Sequence, residues 1–252
     1  MQNKQETPRI ERDTCLIVPH KDSELRFEFP PQGPSNYQTA GSAVLQRGSY
    51  LPTGSETASL LHEVYCTNDK EFKESLESDF IRKNVIKNGW LWVFNRNTWT
   101  PKNVKNAGVY VQHDAQAKGI STPASISDLE DALSGGTAEH GVRFSKDRKT
   151  AFASYNTVSS GNHNKGTLAK NGFIIASYDI DGAEKIDNVA KKFTFKPYVW
   201  TVDNTGNDNT VSLSALVRGW FDGYWLVVVG DGGGVDGVGF AFGVRAPNAK
   251  NF

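Results

Sequence analysis

Between Val217 and Phe240 the chain reads VRGWFDGYWLVVVGDGGGVDGVGF, with eight glycines, six valines and three aspartates among Trp220, Phe221, Tyr224 and Trp225. Lys, Glu, Gln, Met, Ala, Ser and Thr are missing from it. Glycine weakens strands and helices alike, because its backbone loses the most entropy on folding. A segment that gathers glycine, aspartate and large rings is therefore selected for something besides stability. Contact chemistry fits: rigid rings supply area, and small neighbours let the surface adapt, as in antibody loops. A plain connector would not carry three large aromatics and a Leu-Val-Val-Val run.

Other chemistries fit these residues less well. Gly232, Gly234 and Gly237 satisfy G-x-G-x-x-G, but that fingerprint needs a helix after it and an acidic residue about twenty positions on. Only fifteen residues follow Gly237, and they read as strand. Aspartates among glycines suit calcium, a hard cation, yet such sites come in repeated arrays and this chain has one copy. His20, His62, His113, His140 and His163 are scattered without metal-ligand spacing. His113 and Asp114 adjoin, but no G-x-S-x-G elbow accompanies them. The expectation is a protein with no catalytic residue, no metal and no cofactor.

Composition narrows the partners. Basic and acidic residues balance at 28 each, which leaves no excess to release counterions from a nucleic acid. Cys15 and Cys66 form no CxxC, which leaves one disulfide or two free thiols; free thiols are expected. The opening MQNKQETPRIERDT is polar and is no signal peptide. No apolar run approaches the ~18 residues of a membrane span. No membrane insertion is expected, and placement at a cell surface would need a partner; otherwise the chain would stay cytoplasmic.

The elements that must hold the segment can be read from periodicity. Cys15–Val18 and Leu25–Phe29 read as short strands in a Pro- and Gly-rich stretch, taken as an irregular arm over residues 1–52. Thr53 caps a helix with Ala58, Leu61, Val64 and Tyr65 on one side, and a second helical segment runs from Asp69 to about Lys83. Trp90–Phe94 reads as a strand buried on both faces, with Gly108–Val111 another. Ser125 starts a short helix ending before Gly135. Residues 145–170 read as loop, Phe173–Tyr178 as a buried strand and Ala183–Phe193 as an amphipathic helix. Pro197–Val202 and Val211–Leu216 read as strands, and Phe240, Phe242 and Val244 share a face. Trp90, Trp92, Trp99 and Trp200 are expected in the core. Without βαβ alternation or internal repeats, the fold class is α+β in a single domain.

Ser214-Ala215-Leu216, Gly219-Trp220, Leu226, Val228, Gly230-Asp231 and Ala241-Phe242-Gly243-Val244-Arg245 form a frame. It resembles the C-terminal region of variable proteins from archaeal diversity-generating retroelements. The upstream words GSYLPTGSETASLLHEVYC, GWLWVFNRNTWTP, GVYV, HGVRFSKD and NGFIIASYDIDGAEKI extend the likeness over most of residues 48–245. In such systems a reverse transcriptase rewrites the 3′ end of the gene from a template whose adenines are randomised. An AAC codon so treated yields Phe, Tyr, Val, Asp and Gly but never Lys, Glu, Gln or Met, which matches the segment.

The resemblance implies a C-type lectin-like domain over residues 53–252, with a variable region at 211–245 and the arm packed on its core. It implies a massively diversified site for a variable ligand, a protein or cell-surface molecule. The positions expected to vary and touch ligand are Val217, Arg218, Phe221, Asp222, Gly223, Tyr224, Trp225, Val227, Val229, Gly232, Gly233, Gly234, Val235, Asp236 and Val238. Trp220, Leu226, Val228, Phe242 and Val244 are expected as scaffold. Calcium-lectin words (EPN, QPD, WND) are absent, so calcium-dependent sugar binding is not implied. The alternative is a fixed-specificity attachment protein of viral or cell-surface type.

Overall fold

The computed structural model describes residues 8–11, 15–121, 124–219, 225–233 and 237–246. Three N-terminal strands, β1 (Arg9–Glu11), β2 (Cys15–His20) and β3 (Ser23–Glu28), form an antiparallel sheet. A short strand β4 (Gln32–Ser35) then leads into helix α1 (Tyr37–Gln46), capped by Asn36, whose side chain accepts from Thr39 N. Among the described residues up to 46, four strands and a helix stand where an irregular arm was expected. The strand alternation in LRFEF was legible; the helix over YQTAGSAVLQ, with a glycine at its centre, was not.

Helix α2 (Gly54–Cys66) begins with a full capping box: Thr53 takes the Glu56 amide, and the Glu56 carboxylate takes the Thr53 amide. The segment expected as one helix from Asp69 is broken into α3 (Lys70–Lys73), α4 (Leu76–Phe80) and a π-helical turn, Ile81–Ile86. Asp69 and Ser75 each cap a new start, and Leu76 stands exposed instead of joining Phe72 and Ile81 in the core.

The main sheet is eleven-stranded. Its centre is β5 (Trp90–Trp99), flanked by β6 (Gly108–His113) on one side and the C-terminal strands on the other. Helix α5 (Ile126–Leu133) lies beyond β6, followed by β7 (Thr137–Glu139), β8 (Val142–Phe144) and β9 (Thr150–Ser154). The expected loop over 145–170 therefore contains β9, which pairs with β6, and the two-residue β10 (Gly161–Asn162). Then come helix α6 (Gly172–Ala190), β11 (Tyr198–Trp200), β12 (Thr210–Arg218), β13 (Leu226–Gly232) and β14 (Gly239–Ala241). Sheet order runs β10-β11-β13-β12-β5-β6-β9-β8-β7, with β14 beside β5 and β4. The architecture is α+β.

Phe173–Tyr178, expected as a strand, is the first half of α6. Asn171 caps it by accepting from Phe173 N, and residues 172–178 are all buried. A helix wrapped on every side shows no polar face, so a short apolar run cannot tell it from a buried strand. Asp179 interrupts α6 with φ +67 and ψ 172, a conformation open mainly to glycine.

The main core lies between one face of the sheet and the helices α2 and α6. Leu91, Val93 and Trp99 of β5, Leu216 of β12, and Leu226 and Val228 of β13 meet Leu60, Leu61, Phe173 and Ile186 there. Phe240, Phe242 and Val244 close the same core. Two buried polar pairs join β5 to β12: Trp99 Nε1 donates to Ser212 Oγ at 2.9 Å, and Asn97 Nδ2 to Ser214 Oγ at 3.0 Å.

At the far edge Glu130 of α5 takes both guanidinium nitrogens of Arg143 at 2.7 and 2.8 Å, Asn106 Nδ2 at 3.0 Å, and the Tyr110 hydroxyl. Arg143 chiefly holds the Glu130 carboxyl down at about 2, against an ordinary 4.5. A depressed acid stabilises the fold fully above its unfolded value and loses that contribution as pH falls through the folded one. Glu130→Gln is therefore expected to flatten the acid limb of the stability curve between about pH 4.5 and 2, read by urea denaturation across pH; an unchanged limb contradicts it.

Candidate ligand-binding face

The glycine-rich segment forms β13 and its two flanks, in the middle of the sheet. Val217 pairs with Val227, and Ala215 with Val229 on one side and Trp92 on the other. Tyr198 pairs with Val227 and Trp200 with Val229 in parallel register. Leu226 and Val228 point into the main core, as expected for scaffold, and so do Phe242 and Val244. Trp220 lies outside the described residues.

Val217, Val227 and Val229 point to the other face, and they are not available to a ligand. Their exposures are 3%, 1% and 0%. They belong to a second core with Leu213, Ala215, Trp92, Phe94 and Ala241, roofed by Tyr37, Ala40 and Val44 of α1 and by Ala117. Tyr37 sits 4.9 Å from Phe94 and 5.6 Å from Trp92, ring centre to ring centre. Gly232 is buried as well. The correction has a plain cause: strict alternation marks an exposed face only where one side of a sheet is bare. Here α1 and its neighbours cover the second side, and the unbroken Leu-Val-Val-Val run was the sequence signal for it.

What remains open is narrower. Gly233 and Val238 are exposed, and Arg218 and Trp225 are half-buried. Phe221, Asp222, Gly223, Tyr224, Gly234, Val235 and Asp236 lie outside the described residues. Around Trp225 stand aromatics that sequence reasoning did not assign to a site. Phe195 meets Trp225 edge to face at 6.3 Å, and Tyr198 meets Trp200 at 5.9 Å. Trp200, expected in the core, is 37% exposed. Trp90 is half-buried beside Trp92, while Trp92 and Trp99 are buried as expected.

His113 and Asp114 do not act together. The His113 ring is held on Phe94 O through Nδ1, while the Asp114 carboxylate takes Gly119 N at 2.7 Å and the Tyr37 hydroxyl at 3.4 Å. Cys15 and Cys66 are both free thiols, and burial pushes the Cys66 thiol above its ordinary value, opposite to what a nucleophile needs. Among the described residues, no group of three or more His, Cys, Asp or Glu is placed to hold a metal ion. No helix among them is long and apolar enough to cross a membrane.

No protein-family model matches the chain, and no curated protein matches it. A solved structure described as "Accommodation of massive sequence variation in Nanoarchaeota by the C-type lectin fold" is similar over 87% of this chain and 99% of its own, with 12% identity and a TM-score of 0.44.

Proposed function

We propose that this is a non-enzymatic binding protein of the C-type lectin-like kind, whose gene is diversified at its 3′ end by a retroelement. The observation that carries the reading is where the glycine-rich segment opens to solvent. The strands of that segment are locked between two cores, whereas Gly233 and Val238 stand exposed at one end of β13 and Trp225 is half-buried against Phe195 at the other. A rigid backing with exposed rings and small residues is what an adaptable contact surface requires.

The ligand-contacting set is Arg218, Trp225, Gly233 and Val238, together with Phe221, Asp222, Gly223, Tyr224, Gly234, Val235 and Asp236. Such a face engages a protein or cell-surface partner at the low end of ordinary interface size, roughly 1,000 Å² in total. Rings dominate contact energies, so Trp225, Phe221 and Tyr224 carry most of the affinity.

The alternative, a fixed-specificity attachment protein, draws on the packing duties of Val217, Val227 and Val229. Sequencing the gene from sister cells, with its flanking DNA, separates the two. Substitutions clustered at adenine-derived codons of the open set, beside a downstream near-copy and a reverse transcriptase gene, are the expected result. Changes spread evenly along the chain would reject diversification and leave fixed specificity.

A further inference from the structure

Away from the glycine-rich segment, a cavity of about 160 Å³ lies where the N-terminus of α2, the kink of α6, β5, β6 and the β8–β9 turn converge. That is well below the roughly 300–1,000 Å³ of pockets for drug-sized ligands. Its occupant is therefore small.

The wall chemistry can be worked out atom by atom. His20 is 9% exposed, with Nδ1 2.8 Å from Ser59 Oγ. The Ser59 hydroxyl donates its single proton to Ser55 O at 3.2 Å, and Lys185 Nζ donates to Ser59 Oγ at 2.9 Å. Ser59 must then accept from His20, so Nδ1 carries the proton and Nε2 a lone pair. His113 Nδ1 faces Phe94 O at 3.1 Å, a pure acceptor, so its Nε2 also carries a lone pair. Both imidazoles line the cavity, and neither Nε2 finds a protein partner among the described residues. Burial lowers the basicity of both rings, which keeps the lone pairs free at neutral pH.

Donors stand in the same wall. Gly54 and Ser55 open α2, and first-turn amides have no helical carbonyl to satisfy them. Of the cations, Lys21 is held by Asp179 at 3.2 Å, and Arg148 by Glu139 and the Phe144 ring. Lys149 makes no ion pair among the described residues. The carboxylates are already engaged: Glu56 in the capping box and with Tyr50, Asp147 with Ser145 and Lys149 N, Asp179 with Lys21.

The geometry points to a binding site for a small carboxylic acid that carries a hydrogen-bond donor on the adjacent carbon, an α-hydroxy or α-amino acid. Its carboxylate takes the Gly54 and Ser55 amides and the Lys149 ammonium. An ammonium group there donates to the Nε2 atoms of both His20 and His113, whereas a hydroxyl, with one proton, donates to one of them. A bare carboxylate leaves the imidazoles unanswered, and a diol leaves the helix end unanswered.

The test is NMR titration of the five histidine ring signals of the full chain with glycolate, glycine, acetate and ethylene glycol. Glycolate or glycine is expected to move the His20 and His113 signals saturably while His62, His140 and His163 stay fixed. Whichever of the two binds tells a hydroxyl donor from an ammonium. Acetate is expected to bind about tenfold more weakly, the equivalent of one lost hydrogen bond, and ethylene glycol not at all. Lys149→Gln, at an exposed position, is expected to weaken the binding about tenfold as well. Saturation by neither acid, equal binding of acetate, or unchanged affinity in Lys149→Gln would overturn the assignment.

Discussion

Val227→Asp is expected to leave the protein largely unfolded in mild urea, while Val238→Asp keeps the wild-type midpoint. Both positions lie in the glycine-rich segment, and both residues could come from a randomised codon, yet Val227 is 1% exposed and Val238 is 57% exposed. An aspartate at 227 would sit among the apolar side chains of Val217, Val229 and Trp92. Burying a charge without a partner costs several kcal/mol, about 4 or more, against total stabilities of roughly 5–15. At 238 the charge stays in water and costs about 0.5 kcal/mol or less. Circular dichroism in urea reads both midpoints. A Val227→Asp protein as stable as the parent would mean that α1 lifts away readily, reopening that face to ligand.

That comparison also marks how far the sequence could be read. Trp90–Phe94 announced a strand covered on both faces, and the structure covers it on both. The same signal sat in Leu226–Val229, four apolar residues without a break, but the surrounding glycines and aspartates argued for solvent. The deciding fact was the position of α1, whose Tyr37, Ala40 and Val44 lie almost two hundred residues away in the chain. No local pattern reports such a roof. Helix α2 was legible from Thr53 and Glu56, because a capping box is a short-range device. The first half of α6 was not, because complete burial erases the period that would have identified it. Trp200 escaped for the opposite reason: it reads as a core strand residue, yet it is 37% exposed, while Tyr198 two positions earlier packs half-buried on the second core. The paired lone pairs of His20 and His113 rest on contacts with Ser59 and Phe94 that no spacing encodes.

Gly230→Ala is expected to cost about 3 kcal/mol, and Gly233→Ala to cost nothing or to stabilise slightly. A Cβ at 230 would lie 2.4 Å from Phe173 Cζ, at the centre of the main core, and 3.0 Å from Trp200 O. Relief means shifting Phe173, which is fully buried, or the β13 backbone. That backbone carries Gly230 O, which accepts from Asn97 Nδ2 at 3.1 Å, Trp99 Nε1 at 3.2 Å and Ser212 Oγ at 2.6 Å. Overpacking of this kind costs about 1–3 kcal/mol, and a buried donor that loses its acceptor adds about 1–3 more. At 2–4 °C per kcal/mol for a chain of this size, melting should fall by roughly 6–12 °C. A Cβ at 233 meets nothing within 4 Å, and the backbone there lies outside the left-handed region. Alanine then restricts the unfolded chain without straining the folded one, worth up to about 1 kcal/mol.

The contrast bears on function because it divides the glycines by duty. Gly219, where a Cβ would fall 1.9 Å from the Trp225 ring, and Gly237 and Gly239, where it would meet Trp92 at 2.6 Å, belong with Gly230. Calorimetry on the two alanine variants decides the matter. Equal melting temperatures would mean that the segment tolerates side chains at both positions. Unequal ones separate the packed glycines from Gly233, the division that the proposed diversification requires.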